Sequence, residues 1–120
     1  MARILLADDD PAALTLVGRA LSAEGHQVVS CSDGHEALQH LSSAADSFDL
    51  LVSDVEMPGM DGIELAQQAV AMAPRLRILL MSGFAGGSDR ITSLKLPSAG
   101  FVSKPLSLDQ IRSAVRKALA

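Results

Sequence analysis

A chain of 120 residues can bury one core but not two, and with 48% hydrophobic residues, three Phe and neither Trp nor Tyr that core must be aliphatic. The net charge of −4, without runs of like charge or aromatics interleaved among basic residues, argues against a nucleic-acid surface. The single Cys31 excludes an internal disulfide, the N-terminus has no secretory pattern and no apolar run approaches a membrane span, so a cytoplasmic protein off the membrane is expected.

Short apolar runs alternate with amphipathic stretches. Residues 4–7 read as a buried strand, and Asp10 before Pro11 then gives a helix cap with proline at the first helical position. Leu14, Val17 and Leu21 share one face of that helix, and Gly25 ends it. Residues 28–31 form a second strand, and Asp33 with Glu36 three residues on has the pattern of a capping box for a helix reaching about Ala45. Residues 50–53 are a third strand. Asp61 and Glu64 repeat the capping pattern for a helix carrying Ile63, Ala66 and Val70 that stops before Pro74.

A fourth strand over residues 76–81 has Arg75 and Arg77 at its entrance. Gly86, Gly87 and Pro97 leave room only for a short helix over residues 89–96, followed by a short strand at 101–102. Ser107 and Gln110 cap a last helix whose inner face is Ile111, Ala114, Val115 and Leu119. Five strands alternating with five helices predict an α/β fold: a parallel sheet covered by helices on both faces, with ligands gathering at the carboxyl ends of the strands.

At that edge strand one delivers Asp8, Asp9 and Asp10, strand three Asp54, strand four Ser82, and strand five Ser103, Lys104 and Pro105. Singly, each has a bland role. Asp10 caps a helix, Asp54 could cap a turn, Ser82 precedes Gly83, and Lys104 alone reads as a solvated charge. Their joint arrival is what the bland roles do not explain. Carboxylates held together repel, so either they hold protons more tightly or a cation joins them. Oxygen ligands without His or Cys suit a hard ion such as Mg2+, and a lysine beside it suits phosphate. That set serves phosphoryl transfer, with the central Asp54 as in-line nucleophile.

At these residues the chain resembles the receiver domain of two-component response regulators. The matching pieces are RILLADDD at 3–10, LVSDVEMPGMDG at 51–62, ILLMSG at 78–83 and FVSKP at 101–105. The resemblance implies a single (βα)5 flavodoxin-like domain with strand order 2-1-3-4-5, one receiver over residues 1–120 with no output domain. It implies that Asp54 takes a phosphoryl group from a phosphohistidine on a sensor histidine kinase or histidine phosphotransfer protein. Asp9, Asp54 and the backbone carbonyl of Glu56 would bind Mg2+ directly, and Asp8 largely through water. Lys104 would pair with the phosphoryl group, Pro105 would follow a cis peptide bond, Ser82 would swing toward the phosphate and Phe101 would rotate inward. The readout would be the face made by the fourth helix, the fifth strand and the last helix, in a monomer or weak homodimer whose only catalysis is its own phosphoryl transfer and dephosphorylation.

The family often has Thr where this chain has Ser82, and Tyr or His where it has Phe101, so a hydroxyl contact at the latter is absent. Glu56 and Phe84 occupy positions that in the family influence loss of the phosphate. The MSGFA stretch at 81–85 is similar both to C-terminal receivers of hybrid sensor kinases and to stand-alone alphaproteobacterial receivers that govern cell-cycle proteolysis.

Two rival readings remain. A small aspartate-nucleophile phosphatase would use Glu56 as acid/base but would need a cap domain and substrate pocket. A vestigial interaction module would lack some of the carboxylates or the lysine. Elsewhere, His26, His35 and His40 have no metal-ligand spacing along the chain, and Cys31 reads as a small buried residue. Met57 and Met60 read as loop packing, and Arg112, Arg116 and Lys117 either as charges suited to a helix C-terminus or, by the resemblance, as part of the output face.

Overall fold

Five short segments have enough backbone and side-chain reason to extend, and in a computed structural model of the chain all five join one sheet. Residues 2–44, 47–83, 99–103 and 107–120 are described. The strands are β1 (Arg3–Ala7), β2 (Gln27–Cys31), β3 (Leu50–Asp54), β4 (Arg77–Ser82) and β5 (Ala99–Ser103), all parallel, in the order β2-β1-β3-β4-β5. Three helices, α1 (Pro11–Ala23), α2 (Gly34–Ala44) and α3 (Gly62–Met72), and a C-terminal helix, Leu108–Leu119, are described. The helix expected over 89–96, with Gly86, Gly87 and Pro97, and the residues Phe84, Lys104 and Pro105 lie outside the described residues.

Alternation of side chains along the inner strands feeds two cores, one on each face of the sheet. Ile4, Leu6, Leu50, Val52, Leu79 and Met81 pack on Ala20 and Leu21 of α1 and on Ile111 and Val115 of the C-terminal helix. Leu5, Leu51, Ile78 and Leu80 point the other way, onto Ala37 and Leu41 of α2 and Ile63, Ala66 and Ala69 of α3. Phe101 is half-buried against this second core. At about 1.5–3 kcal/mol for each fully buried Leu or Ile, these largely aliphatic layers supply the main favourable free energy, with Phe48 as a buried aromatic in the second core.

The helix ends follow the local chemistry. Asp10 Oδ1 accepts from Ala12 N at 3.0 Å with Pro11 opening α1, and Gly25 takes φ 93° just past its end. Asp61 Oδ1 accepts from Glu64 N at 2.8 Å, and Ser107 with Gln110 forms a complete capping box. At α2 Asp33 Oδ1 accepts from Glu36 N at 2.8 Å, while the Glu36 carboxylate accepts from Ser32 Oγ at 3.1 Å.

Three strand ends differ from expectation. β3 runs through Asp54, β4 through Ser82, and β5 spans Ala99–Ser103 rather than two residues. The ladder is made by backbone groups, so a polar side chain does not stop pairing: Asp54 stands opposite Met81, and Ser82 opposite Ser103. The entrance arginine is likewise part of the fold. Arg77 Nη1 donates to Ala118 O and Ala120 O at 3.0 and 2.9 Å, closing the C-terminal helix, and Arg116 pairs with Glu24 beyond α1.

The turn between β3 and α3 is set by two glycines with different constraints. Gly59 takes φ +77° in open space, whereas a Cβ on Gly62 would lie 2.1 Å from Asp54 O. Gly59→Ala should therefore cost about 1–2 kcal/mol of backbone strain. Gly62→Ala should cost more, about 3 kcal/mol or above, because the β3 end must shift. Urea unfolding midpoints of the two variants check the order.

Candidate functional site

Parallel pairing brings the ends of β1 and β3 side by side. Ala7 stands opposite Ser53, so Asp8 and Asp9 leave β1 beside Asp54 at the last position of β3. One carboxylate oxygen from each of Asp8, Asp9 and Asp54 lies within 4.8 Å of the others. Asp8 and Asp54 are buried, at 1% and 5% exposure, while Asp9 is exposed. Two carboxylates so close, at an effective dielectric of about 20, repel on the order of 3 kcal/mol. A doubly charged hard cation would reverse the sign of that interaction, and an all-oxygen donor set is the kind Mg2+ takes. The residues present therefore fit the ion.

Local hydrogen bonds hold this arrangement. Asp8 N donates to Cys31 O at 3.1 Å, tying the end of β1 to β2, and Asp10 N donates to Asp8 Oδ1 at 3.0 Å. Val55 N donates to Met81 O at 2.8 Å, Ser53 Oγ to Asp54 O at 2.9 Å, and Gly62 N to Val55 O at 2.9 Å. Asp10 caps α1 and is not a member of the carboxylate group, as its position before Pro11 implied. Asp61 likewise starts α3.

Ser82, 1% exposed at the end of β4, donates its hydroxyl to Glu56 Oε2 at 2.7 Å, and Gly83 N donates to Glu56 Oε1 at 3.0 Å. The resemblance had given Glu56 a metal-binding backbone carbonyl and a position that influences loss of the phosphate, but no contact with β4. Its side chain reaches across from the β3–α3 turn and holds both polar groups at the end of β4. Nothing in the local sequence signals this; it depends on β3 and β4 being neighbours. Lys104 and Pro105, the other expected members of the site, lie outside the described residues.

A second group forms one strand away. Cys31 at the end of β2 comes together with Glu36 and His40 of α2, one ligand atom from each lying within 4.8 Å of the others. The spacing of the three histidines concealed this, because His40 gains its partners from another element. Burial, then the charges of Glu36 and Asp33, push the Cys31 thiol up to about 12.

Comparison with known proteins gives a consistent result. The family profile described as response regulator receiver domain matches residues 4–116. The response regulator receiver protein CpdR of Brucella abortus is 36% identical over 119 residues, covering 99% of this chain and 98% of CpdR. The receiver domain of the hybrid histidine kinase CckA superposes with a TM-score of 0.83 at 31% identity, covering 98% and 99% of the two chains. TrrA of Thermotoga maritima, solved with Mg2+ and BeF, gives 0.84 at 30% identity, covering 99% and 100%. The chain spans 26% of the length of its larger relatives, such as the transcriptional regulatory protein ZraR of Salmonella typhimurium. Among the described residues no helix is long and apolar enough to cross a membrane.

The Glu56 contacts can be measured directly. A hydrogen bond to a charged group contributes about 1.5–3 kcal/mol, less where the carboxylate is half-exposed. A double-mutant cycle of Glu56→Ala and Ser82→Ala in urea should return a coupling of about 1 kcal/mol. Additive single effects would contradict the bond.

Proposed function

The chain belongs to the response regulator receiver domain family, and on that premise we propose that Asp54 is its phosphoacceptor and that phosphorylation switches the surface it offers to a target protein. The observation that carries this reading is the gathering of Asp8, Asp9 and Asp54 within 4.8 Å at the carboxyl edge of the sheet, next to the strand that ends in Ser82.

Asp54 supplies a carboxylate oxygen that attacks phosphorus in line; the P–N bond of a phosphohistidine breaks, an acyl phosphate forms, and the imidazole leaves as a neutral base after taking a proton. Asp9, Asp54 and the carbonyl of Glu56 would hold Mg2+, with Asp8 acting largely through water. The bound ion would offset the charge of the three carboxylates and of the incoming phosphoryl group. Ser82 leaves the Glu56 carboxylate and donates to a phosphoryl oxygen, and Lys104 adds a positive charge beside it. Attack of water on phosphorus would later restore the carboxylate and release phosphate. The donor is a sensor histidine kinase or a histidine phosphotransfer protein. The altered surface is that of β5, Phe101, the C-terminal helix and the segment before β5.

Incubation with Mg2+ and acetyl phosphate, followed by intact-mass measurement, should show gain of one hydroxylamine-labile phosphate. Asp54→Asn should abolish the gain, and Asp9→Asn should remove its dependence on Mg2+. An unmutated chain that gains no phosphate, or an Asp54→Asn chain that gains it equally, contradicts the assignment.

A further inference from the structure

Outside the acidic edge, and among the described residues, one group of side chains has the chemistry of a different cation. Cys31 closes β2, and Glu36 and His40 stand four residues apart on α2, the spacing that puts two side chains on one face of a helix. A ligand atom from each of the three lies within 4.8 Å of the others. Tetrahedral zinc bonds of about 2.0–2.3 Å require ligand atoms roughly 3.5 Å apart, a distance within a small side-chain adjustment of this one. We propose that Cys31, Glu36 and His40 form a binding site for a thiophilic divalent cation of the Zn2+ class, separate from the oxygen site at Asp54.

The ligand set selects the ion. Thiolate and imidazole favour zinc over magnesium, whereas three carboxylates favour the reverse, so the two positions are chemically orthogonal although only one strand apart. The outer contacts are of the kind that orient ligands: Ser32 Oγ donates to Glu36 Oε2 at 3.1 Å, fixing one carboxylate oxygen. Asp33 and Glu36 place negative charge beside the thiol, a field that favours a cation there. Cys31 is 1% exposed, but Glu36 and His40 are half-exposed and provide the way in, with a fourth position left for water or an exchangeable ligand. On binding, a bond forms from the Cys31 sulfur to the metal and the thiol proton passes to solvent. The bound ion would pin the start of α2 to the end of β2. Cys31 O accepts from Asp8 N, so this clamp would also stiffen the backbone that carries Asp8.

The test uses the full chain, reduced and stripped of metal, with excess Mg2+ to saturate oxygen sites. Zn2+ should bind at one equivalent in competition with a chromophoric chelator. Co2+ should give a thiolate charge-transfer band in the near ultraviolet. Cys31→Ser should remove the band. His40→Ala, a half-exposed position whose loss leaves the core intact, should weaken Zn2+ binding by about 100-fold or more. Asp54→Asn should leave both readouts unchanged, with urea midpoints confirming that each variant is folded. Zn2+ affinity unchanged in folded His40→Ala, a missing charge-transfer band, or zinc lost with Asp54→Asn would each overturn the proposal.

Discussion

Parallel register is the constraint on which the rest of this molecule depends. In a parallel sheet every strand ends at the same edge, so whatever follows the last apolar residue of each strand collects there. Here Ala7 faces Ser53 and Asp54 faces Met81, which fixes Asp8, Asp54 and Ser82 in neighbouring positions. An antiparallel pairing of the same five runs would send alternate ends to opposite sides and scatter these groups. The buried aliphatic layers on both faces hold the register, because a slip of one residue would turn Leu5, Leu51 and Leu80 toward the wrong helices.

The turn after β3 carries that register into the site. Gly62 passes so close to Asp54 O that any side chain would force the β3 end to shift, and Gly62 N donates to Val55 O, closing the turn on itself. Met57 and Met60 fill the space beneath it as part of the core facing α2 and α3. The turn is thereby anchored at its base while Glu56 reaches toward β4. Strand, turn and helix start are thus tied together by packing and backbone hydrogen bonds directly beneath the acidic edge.

Most of this was legible in the sequence because it rests on local rules. The apolar runs, Asp10 before Pro11, Gly25, Asp61 with Glu64 and Ser107 with Gln110 each name their own element, and the carboxylates could be placed at one edge by alternation alone. What was not legible depends on neighbours far apart in the chain. The strand ends ran past expectation because backbone pairing ignores side-chain polarity. The Glu56 side chain had no visible partner until β4 stood beside it, and His40 looked solitary until α2 packed over the end of β2. Arg77, seen as an entrance charge, closes a helix more than forty positions away.

The Ser82–Glu56 contact bounds what the proposed switch can do. A hydroxyl donates one hydrogen bond at a time, so a phosphoryl group on Asp54 and the Glu56 carboxylate compete for Ser82. The bond to the half-exposed Glu56 is worth about 1 kcal/mol and one to a phosphoryl oxygen about 1.5–3 kcal/mol, so the exchange by itself supplies at most about 2 kcal/mol. Reversing a 1:99 population needs about 5.5 kcal/mol. The remainder must come from repulsion between Glu56 and nearly two added negative charges, and from repacking where Ser82 departs. A serine offers less there than a threonine, since it brings no methyl group to drive Phe101 toward one rotamer. On the proposed reading, the bias rests more on displacing Glu56 than on filling a space.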